Sequence, residues 1–256
     1  MSENQRTIKN PVTVKGIGLH SGSTVQACFR YAPSDTGIVF RRVDLDPVVE
    51  LKLDVNHIKQ TPLCTVLAYD DVTLSTIEHA LSAVAGLMID NLYIDINGPE
   101  MPIVDGSAEP FVFALESAGI IALDAVRRFL RIREKITVVD NDSSVSIEPH
   151  TGGLRVEMTI DFKHPVIRGS NQSLALDISP SIYSKQIARA RTFGAAKDLD
   201  KLQAQNLALG ANLDNAIGLG DKEVLNPEGL RFSDEFVRHK MLDAIGDLYV
   251  TGHQIK

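Results

Sequence analysis

The sequence predicts an α+β fold: two domains of similar plan, each a β-sheet layered with helices. Two observations carry this. Short β-branched stretches broken by glycine turns precede a helix-periodic segment in the first half of the chain. The same strands-then-helices order returns after a basic stretch at residues 127–135. The junction falls near residues 124–130 and divides the chain into domains 1–126 and 127–256. The repeat is one of element order and does not extend to residue identity.

Residues 6–14 and 24–31 read as strands, with Gly16, Gly18 and Gly22 in the turn between them. Residues 37–43 and 62–68 read as two more. The period then changes. Ile77, Leu81, Val84 and Leu87 recur at helical spacing over 75–87, with Ser75 or Thr76 placed to cap the start. Residues 91–96 alternate as a strand and 106–118 read as a second helix. In the second half, 136–139, 144–148 and 154–161 are the clearest strands. Helical patterns follow near 181–189 and 198–205, and the strongest covers 234–248.

Bulk properties narrow the function. Of the 256 residues, 44% are hydrophobic and 23% charged, so a sizeable core is available and no stretch reads as disordered. A formal charge of −7 gives no reason to expect nucleic acid, though a local basic patch for an anionic ligand remains open. Cys28 and Cys64 are too few for a disulfide framework and lack metal-ligand spacing. The first ten residues are polar, without the apolar segment of a signal peptide, and no apolar run approaches a membrane span. The simplest location is the cytoplasm.

Three places carry possible chemistry. In the helix at 234–248, His239 and Asp243 are four residues apart and share a face that Asp247 continues. Imidazole and carboxylate from adjacent turns can hold two corners of a tetrahedral zinc site, and a third protein ligand would leave one corner for water. The same spacing is also common as a weak charge pair on a solvated helix. Glu78-His79 sits near the start of the first-half helix. It offers a ligand beside a proton acceptor, or merely an acidic residue at a helix N-terminus. His20 lies in a glycine-rich turn that suits close approach of a ligand or a plain hairpin connection.

Seven segments in one order resemble the zinc-dependent UDP-3-O-acyl-N-acetylglucosamine deacetylase family of lipid A biosynthesis. They are Gly16-Ile17-Gly18-Leu19-His20-Ser21-Gly22, Phe40-Arg41-Arg42-Val43-Asp44-Leu45, Ser75-Thr76-Ile77-Glu78-His79 and Pro102-Ile103-Val104-Asp105-Gly106-Ser107-Ala108 in the first half. Ile160-Asp161-Phe162-Lys163-His164-Pro165, Ala190-Arg191-Thr192-Phe193-Gly194 and Phe236-Val237-Arg238-His239-Lys240-Met241-Leu242-Asp243 follow. Each is weak alone, but their shared order over most of the chain is not a coincidence.

The resemblance implies an active site between the two domains. His79, His239 and Asp243 would bind Zn2+, although iron(II) suits the same ligands. Glu78 would be the general base, and Thr192 would stabilise the oxyanion. Phe193 would contact the substrate near the site, Phe162 would pack on the uridine and His20 would lie close to the sugar. Lys240 would meet the anionic nucleotide, and Asp247 would orient a histidine near the family's C-terminus. A βαβ insert within 199–224 would form an apolar passage for the acyl chain. Leu202, Leu207, Leu209 and Ile217 are its candidates, with a plain core role equally open for them.

The substrate implied is UDP-3-O-acyl-N-acetylglucosamine, hydrolysed to release acetate by a protein that would be monomeric. The resemblance also implies that the sequence stops before the family's histidine that protonates the departing amine, since His253 aligns with an earlier position. The expectation is therefore a chain that binds zinc with weak or absent turnover. The competing readings are a non-catalytic sugar-nucleotide-binding relative, a zinc hydrolase of another acetylated substrate, and a structural fragment with accidental ligands.

Overall fold

Among the described residues, strand pairing stays within each half of the chain. The computed structural model describes residues 4–59, 61 and 63–256. The first half runs β1 (Asn4–Ile8), β2 (Val12–Ile17), β3 (Thr24–Tyr31), β4 (Ile38–Arg42), β5 (Val49–Lys52), β6 (Ile58–Lys59), β7 (Val66–Tyr69) and β8 (Val72–Leu74). Helix α1 (Glu78–Gly86), β9 (Leu92–Ile96), α2 (Glu109–Ser117) and β10 (Ile120–Val126) complete it. The second half opens with β11 (Phe129–Leu130), β12 (Ile136–Asp140), β13 (Ser143–Ile147), β14 (Arg155–Thr159), α3 (Pro165–Arg168) and β15 (Ser173–Asp177). It continues through α4 (Pro180–Ile182), a π-helical turn (Tyr183–Ile187), β16 (Phe193–Ala195), α5 (Leu199–Gln203), β17 (Ile217–Leu219), α6 (Glu235–Leu248) and β18 (Gln254–Ile255).

A five-stranded sheet ordered β2-β3-β9-β4-β5 organises the first half, antiparallel except for the parallel β4–β9 pair. Its strands alternate as half-buried strands must. Leu92, Ile94 and Ile96 of β9 point into the core with Ala27 and Phe29 of β3, while Tyr93 and Asp95 face out. The smaller sheets are β1–β10 and β6-β7-β8 in the first half. In the second they are the hairpins β12–β13 and β14–β15 and the parallel pairs β11–β18 and β16–β17. The β16–α5–β17 segment is a βαβ crossover, since parallel neighbours need one. It begins at Phe193, before the 199–224 stretch expected for the insert. Within it Ile217 is a core residue, whereas Leu209 is exposed.

One hydrophobic core joins the halves. Leu81 and Val84 of α1 belong to the same cluster as Met241, Leu242 and Ile245 of α6. Helix α1 is buried along its whole length, and its small residues allow close neighbours. A Cβ on Gly246 of α6 would overlap the carbonyl oxygen of Glu78, so only glycine permits this helix separation. The Ser82 hydroxyl donates to the Leu242 carbonyl at 2.7 Å, and the buried Tyr183 hydroxyl meets Ser82 Oγ at 2.8 Å. The first turn of α6 seats Phe236 and Val237 on a second cluster with Ile160, Ile167, Ile217 and Leu219.

Several sequence expectations need correction. The strand at 6–14 is two strands, because Pro11 lacks an N–H and fixes its φ. Lys9 and Asn10 instead donate backbone N–H groups to Gly119 and Ala118. The strand at 62–68 is β7, starting at Val66; residue 62 lies outside the described residues. Helix α1 starts at Glu78, and neither Ser75 nor Thr76 caps it. Ser75 instead pairs with Glu100 in an isolated β-bridge, and Thr76 adopts a left-handed φ of 58°. The pattern at 181–189 became the short α4 and a π-turn. Strand β10 escaped the reading. Among the described residues no helix is long and apolar enough to cross a membrane.

Candidate metal centre

The centre forms where the start of α1 meets the middle of α6. A left-handed conformation at a β-branched residue is costly, and Thr76 holds one at the approach to α1. Its hydroxyl donates to Glu100, whose carboxylate also accepts the backbone N–H groups of His20 and Ser21. This buried carboxylate thus ties the glycine-rich turn to the residues that place Glu78 and His79.

His79 Nε2 and His239 Nε2 each lie 3.4 Å from the same oxygen, Asp243 Oδ1. All three candidate ligand atoms fall within 4.8 Å of one another. Ligands on a tetrahedral zinc at ~2.0–2.1 Å would stand about 3.3 Å apart. The imidazole planes cross at 87° with centroids 5.0 Å apart, as for two rings aimed at a common point. Asp243 Oδ1 and His79 Nδ1 are buried and have no hydrogen-bond partner. A buried carboxylate oxygen without a donor is expensive unless a cation satisfies it. Charge, spacing and the orphaned oxygen all fit a divalent ion held by His79, His239 and Asp243.

Hydrogen bonds aim these groups. A carbonyl only accepts, so the 3.0 Å contact between His239 Nδ1 and the Ala190 oxygen puts the proton on Nδ1 and leaves Nε2 free to ligate. The other oxygen of Asp243 accepts from Lys240 Nζ at 2.7 Å. Glu78 Oε2 accepts the backbone N–H of Thr65 at 3.0 Å, and the Thr65 hydroxyl donates to Asp247 at 2.5 Å.

Burial dominates the electrostatics. It holds the Glu78 carboxyl up at about 7, against the opposing pull of His79. It pushes the His239 imidazole down to about 4. Burial also works against charge on His79 and Asp243, yet their neighbours outweigh it: chiefly Asp243 for His79, and His239, then His79 and Lys240, for Asp243. The His79 imidazole is therefore raised, and the Asp243 carboxyl sits well below the usual carboxylate range. Lys240 stays raised beside Asp243 despite its own burial.

The remaining sequence candidates surround this point in different ways. Phe193 stands with its ring 6.2 Å from His239, and Phe162, 40% exposed, packs edge-on against Phe193 at 5.4 Å. Thr192 follows the Ala190 carbonyl by two residues and donates its backbone N–H to Gly106. His20 accepts the Ala208 N–H on Nδ1, which leaves a buried Nε2 with no partner. Its backbone N–H links it to the centre through Glu100. Sequence reading missed Thr65, Glu100 and the Ala190 carbonyl, since backbone groups and lone polar residues in loops carry no periodic signal.

The family model LpxC, described as UDP-3-O-acyl N-acetylglycosamine deacetylase, matches residues 5–256. The UDP-3-O-acyl-N-acetylglucosamine deacetylase of Alcanivorax borkumensis is 51% identical over 251 residues, 98% of this chain and 82% of that protein. The protein of the same name from Tolumonas auensis is 51% identical over 252 residues, with coverage of 98% and 82%. That of Marinobacter nauticus is 49% identical over 251 residues, again covering 98% and 82%. With the match running through both halves, this chain belongs to the UDP-3-O-acyl N-acetylglycosamine deacetylase family.

Proposed function

We propose that this deacetylase hydrolyses the acetamide of UDP-3-O-acyl-N-acetylglucosamine, releasing acetate in the committed step of lipid A biosynthesis, with Zn2+ held by His79, His239 and Asp243. One observation carries the reading: two imidazoles from opposite halves converge on one orphaned carboxylate oxygen, in the same cluster as a buried glutamate. A divalent ion in that position supplies Lewis acidity for the amide carbonyl and for a water. Iron(II) suits the same donor set.

The chain's own residues do the rest. Glu78, aimed by the Thr65 N–H, accepts the proton of the attacking water at its carboxylate. The Thr192 hydroxyl donates to the oxyanion as it forms. Lys240, paired with Asp243, adds positive charge for the anionic nucleotide. Phe193 and Phe162 offer a continuous aromatic surface leading away from His239, suited to sugar and uridine. His20 meets the sugar, and Asp247 orients its neighbours through Thr65. The β16–α5–β17 unit, with Leu202 and Leu207 partly buried, supports an apolar passage for the acyl chain. We read 1–126 and 127–256 as two domains because every strand pair among the described residues closes within one of them, and we place the protein in the cytoplasm as a monomer.

Metal analysis of the purified chain, run beside an acetate-release assay, tests the whole reading. Stoichiometric zinc or iron and metal-dependent release are expected. A chain that takes up no divalent ion at neutral pH sinks it.

A further inference from the structure

Arg191 and Glu235 form a buried pair that the proposed chemistry leaves unused. Their side chains are 3% and 0% exposed. Glu235 sits one turn before His239 on α6, so the two share a face of the helix. Arg191 donates from Nε to Glu235 Oε1 at 3.0 Å, from Nη1 to Glu228 at 2.6 Å and from Nη2 to the Gly229 carbonyl at 2.7 Å. Its backbone N–H also donates to Glu235 Oε1 at 3.0 Å.

That last bond matters because of what lies at the other end of the same peptide. The Arg191 N–H and the Ala190 carbonyl belong to one rigid planar unit. The Glu235 carboxylate grips the N–H end, and the carbonyl end receives the proton of His239 Nδ1 at 3.0 Å. A carboxylate, a peptide and an imidazole therefore lie in series. Further anchors hold the segment on either side. The Ala190 N–H donates to the Ile187 carbonyl, and the Thr192 N–H donates to Gly106.

We propose that Glu235 and Arg191 are positioning residues for the metal ligand His239, acting through the Ala190–Arg191 peptide to fix its ring orientation and its Nδ1–H tautomer. The inference rests on the metal reading above. Histidine ligands usually donate their second N–H to a carboxylate or carbonyl, and loss of that support typically weakens metal binding about 10–100-fold. Here the carboxylate is one peptide removed. It keeps the carbonyl in place, while Arg191 neutralises the charge that burial would otherwise penalise. A pair serving only to hold the fold would lower thermal stability and leave the ligand unaffected.

The test has two arms. In the unaltered, metal-free chain, 15N NMR of labelled histidines is expected to show His239 protonated on Nδ1 with slow proton exchange. An Nε2–H tautomer overturns the proposal. In the second arm, Glu235→Gln and Arg191→Lys are folded by circular dichroism and titrated with zinc against a chelator. Both are expected to lose about tenfold or more in zinc affinity and to shift the visible absorption of the cobalt(II) protein. A folded variant with unchanged zinc affinity and an unchanged cobalt spectrum overturns the proposal. If neither variant folds, the tautomer measurement decides. An unaltered chain that binds no zinc would instead defeat the metal reading, and the tautomer arm still reports on the peptide relay separately.

Discussion

At the scale of single residues, the two acids at the centre, Glu78 and Asp243, are tuned in opposite directions by what faces them. Glu78 faces mainly desolvation and stands at about 7, whereas Asp243 faces two imidazoles and an ammonium and stays ionised. A general base must be deprotonated, so deacetylation should rise with pH as Glu78 ionises. A cation beside it favours the carboxylate, so the ascending limb in the metal-loaded protein should fall below pH 7. Glu78→Gln should keep its metal, abolish that limb and lose about 10²–10⁴-fold in turnover. Wild-type turnover in the zinc-loaded variant would refute the base assignment. Metal binding should follow a different titration. His79 is the raised imidazole and His239 stays neutral down to about 4. Protons should therefore compete with zinc in one step as pH falls through the His79 pKa, with His239 adding a second step only near pH 4. Chelator competition across pH measures this.

At the scale of elements, the site depends on how closely α6 lies on α1. Gly246 packs against the Glu78 carbonyl, and Ser82 and Tyr183 bolt the same contact with buried hydroxyls. Gly246→Ala has no flexible neighbour to displace, because the obstacle is backbone. It should cost about 1–3 kcal/mol by overpacking and weaken zinc binding as well, since separating the helices moves His79 from Asp243. Thermal melts and zinc titration of the variant check both effects. An unchanged melting temperature would mean the helices tolerate a wider spacing. The elements were largely legible where periodicity is strong: β3 lies where its β-branched run predicts, and α6 begins at Glu235 within the predicted 234–248. They were illegible where neighbours decide. β10 exists because β1 offers it an edge, and the left-handed turn at Thr76 exists because Glu100 holds it.

At the scale of the whole molecule, one ion would join two halves whose sheets, among the described residues, do not pair with each other. His79 comes from the first, and His239 and Asp243 from the second, so bound metal should stabilise the molecule beyond the local site. Zinc at 100 times its Kd should add about 2.7 kcal/mol to unfolding, and a chelator should remove it. Calorimetry with and without metal reads this directly, and equal melting temperatures would show that the ion spans nothing that unfolds.

The amino-acid sequence alone determined the α+β class, the helix bearing His239 and Asp243 on one face, and a set of candidates for the chemistry. Periodicity and motif order are local properties, and they survive without a fold. Only the tertiary structure decided that His79 meets that helix, that Asp243 Oδ1 has no donor, and that a peptide bond stands between Glu235 and His239. Those facts are distances between groups far apart in the chain, set by how small residues let α1 and α6 approach, and no spacing along the sequence encodes them.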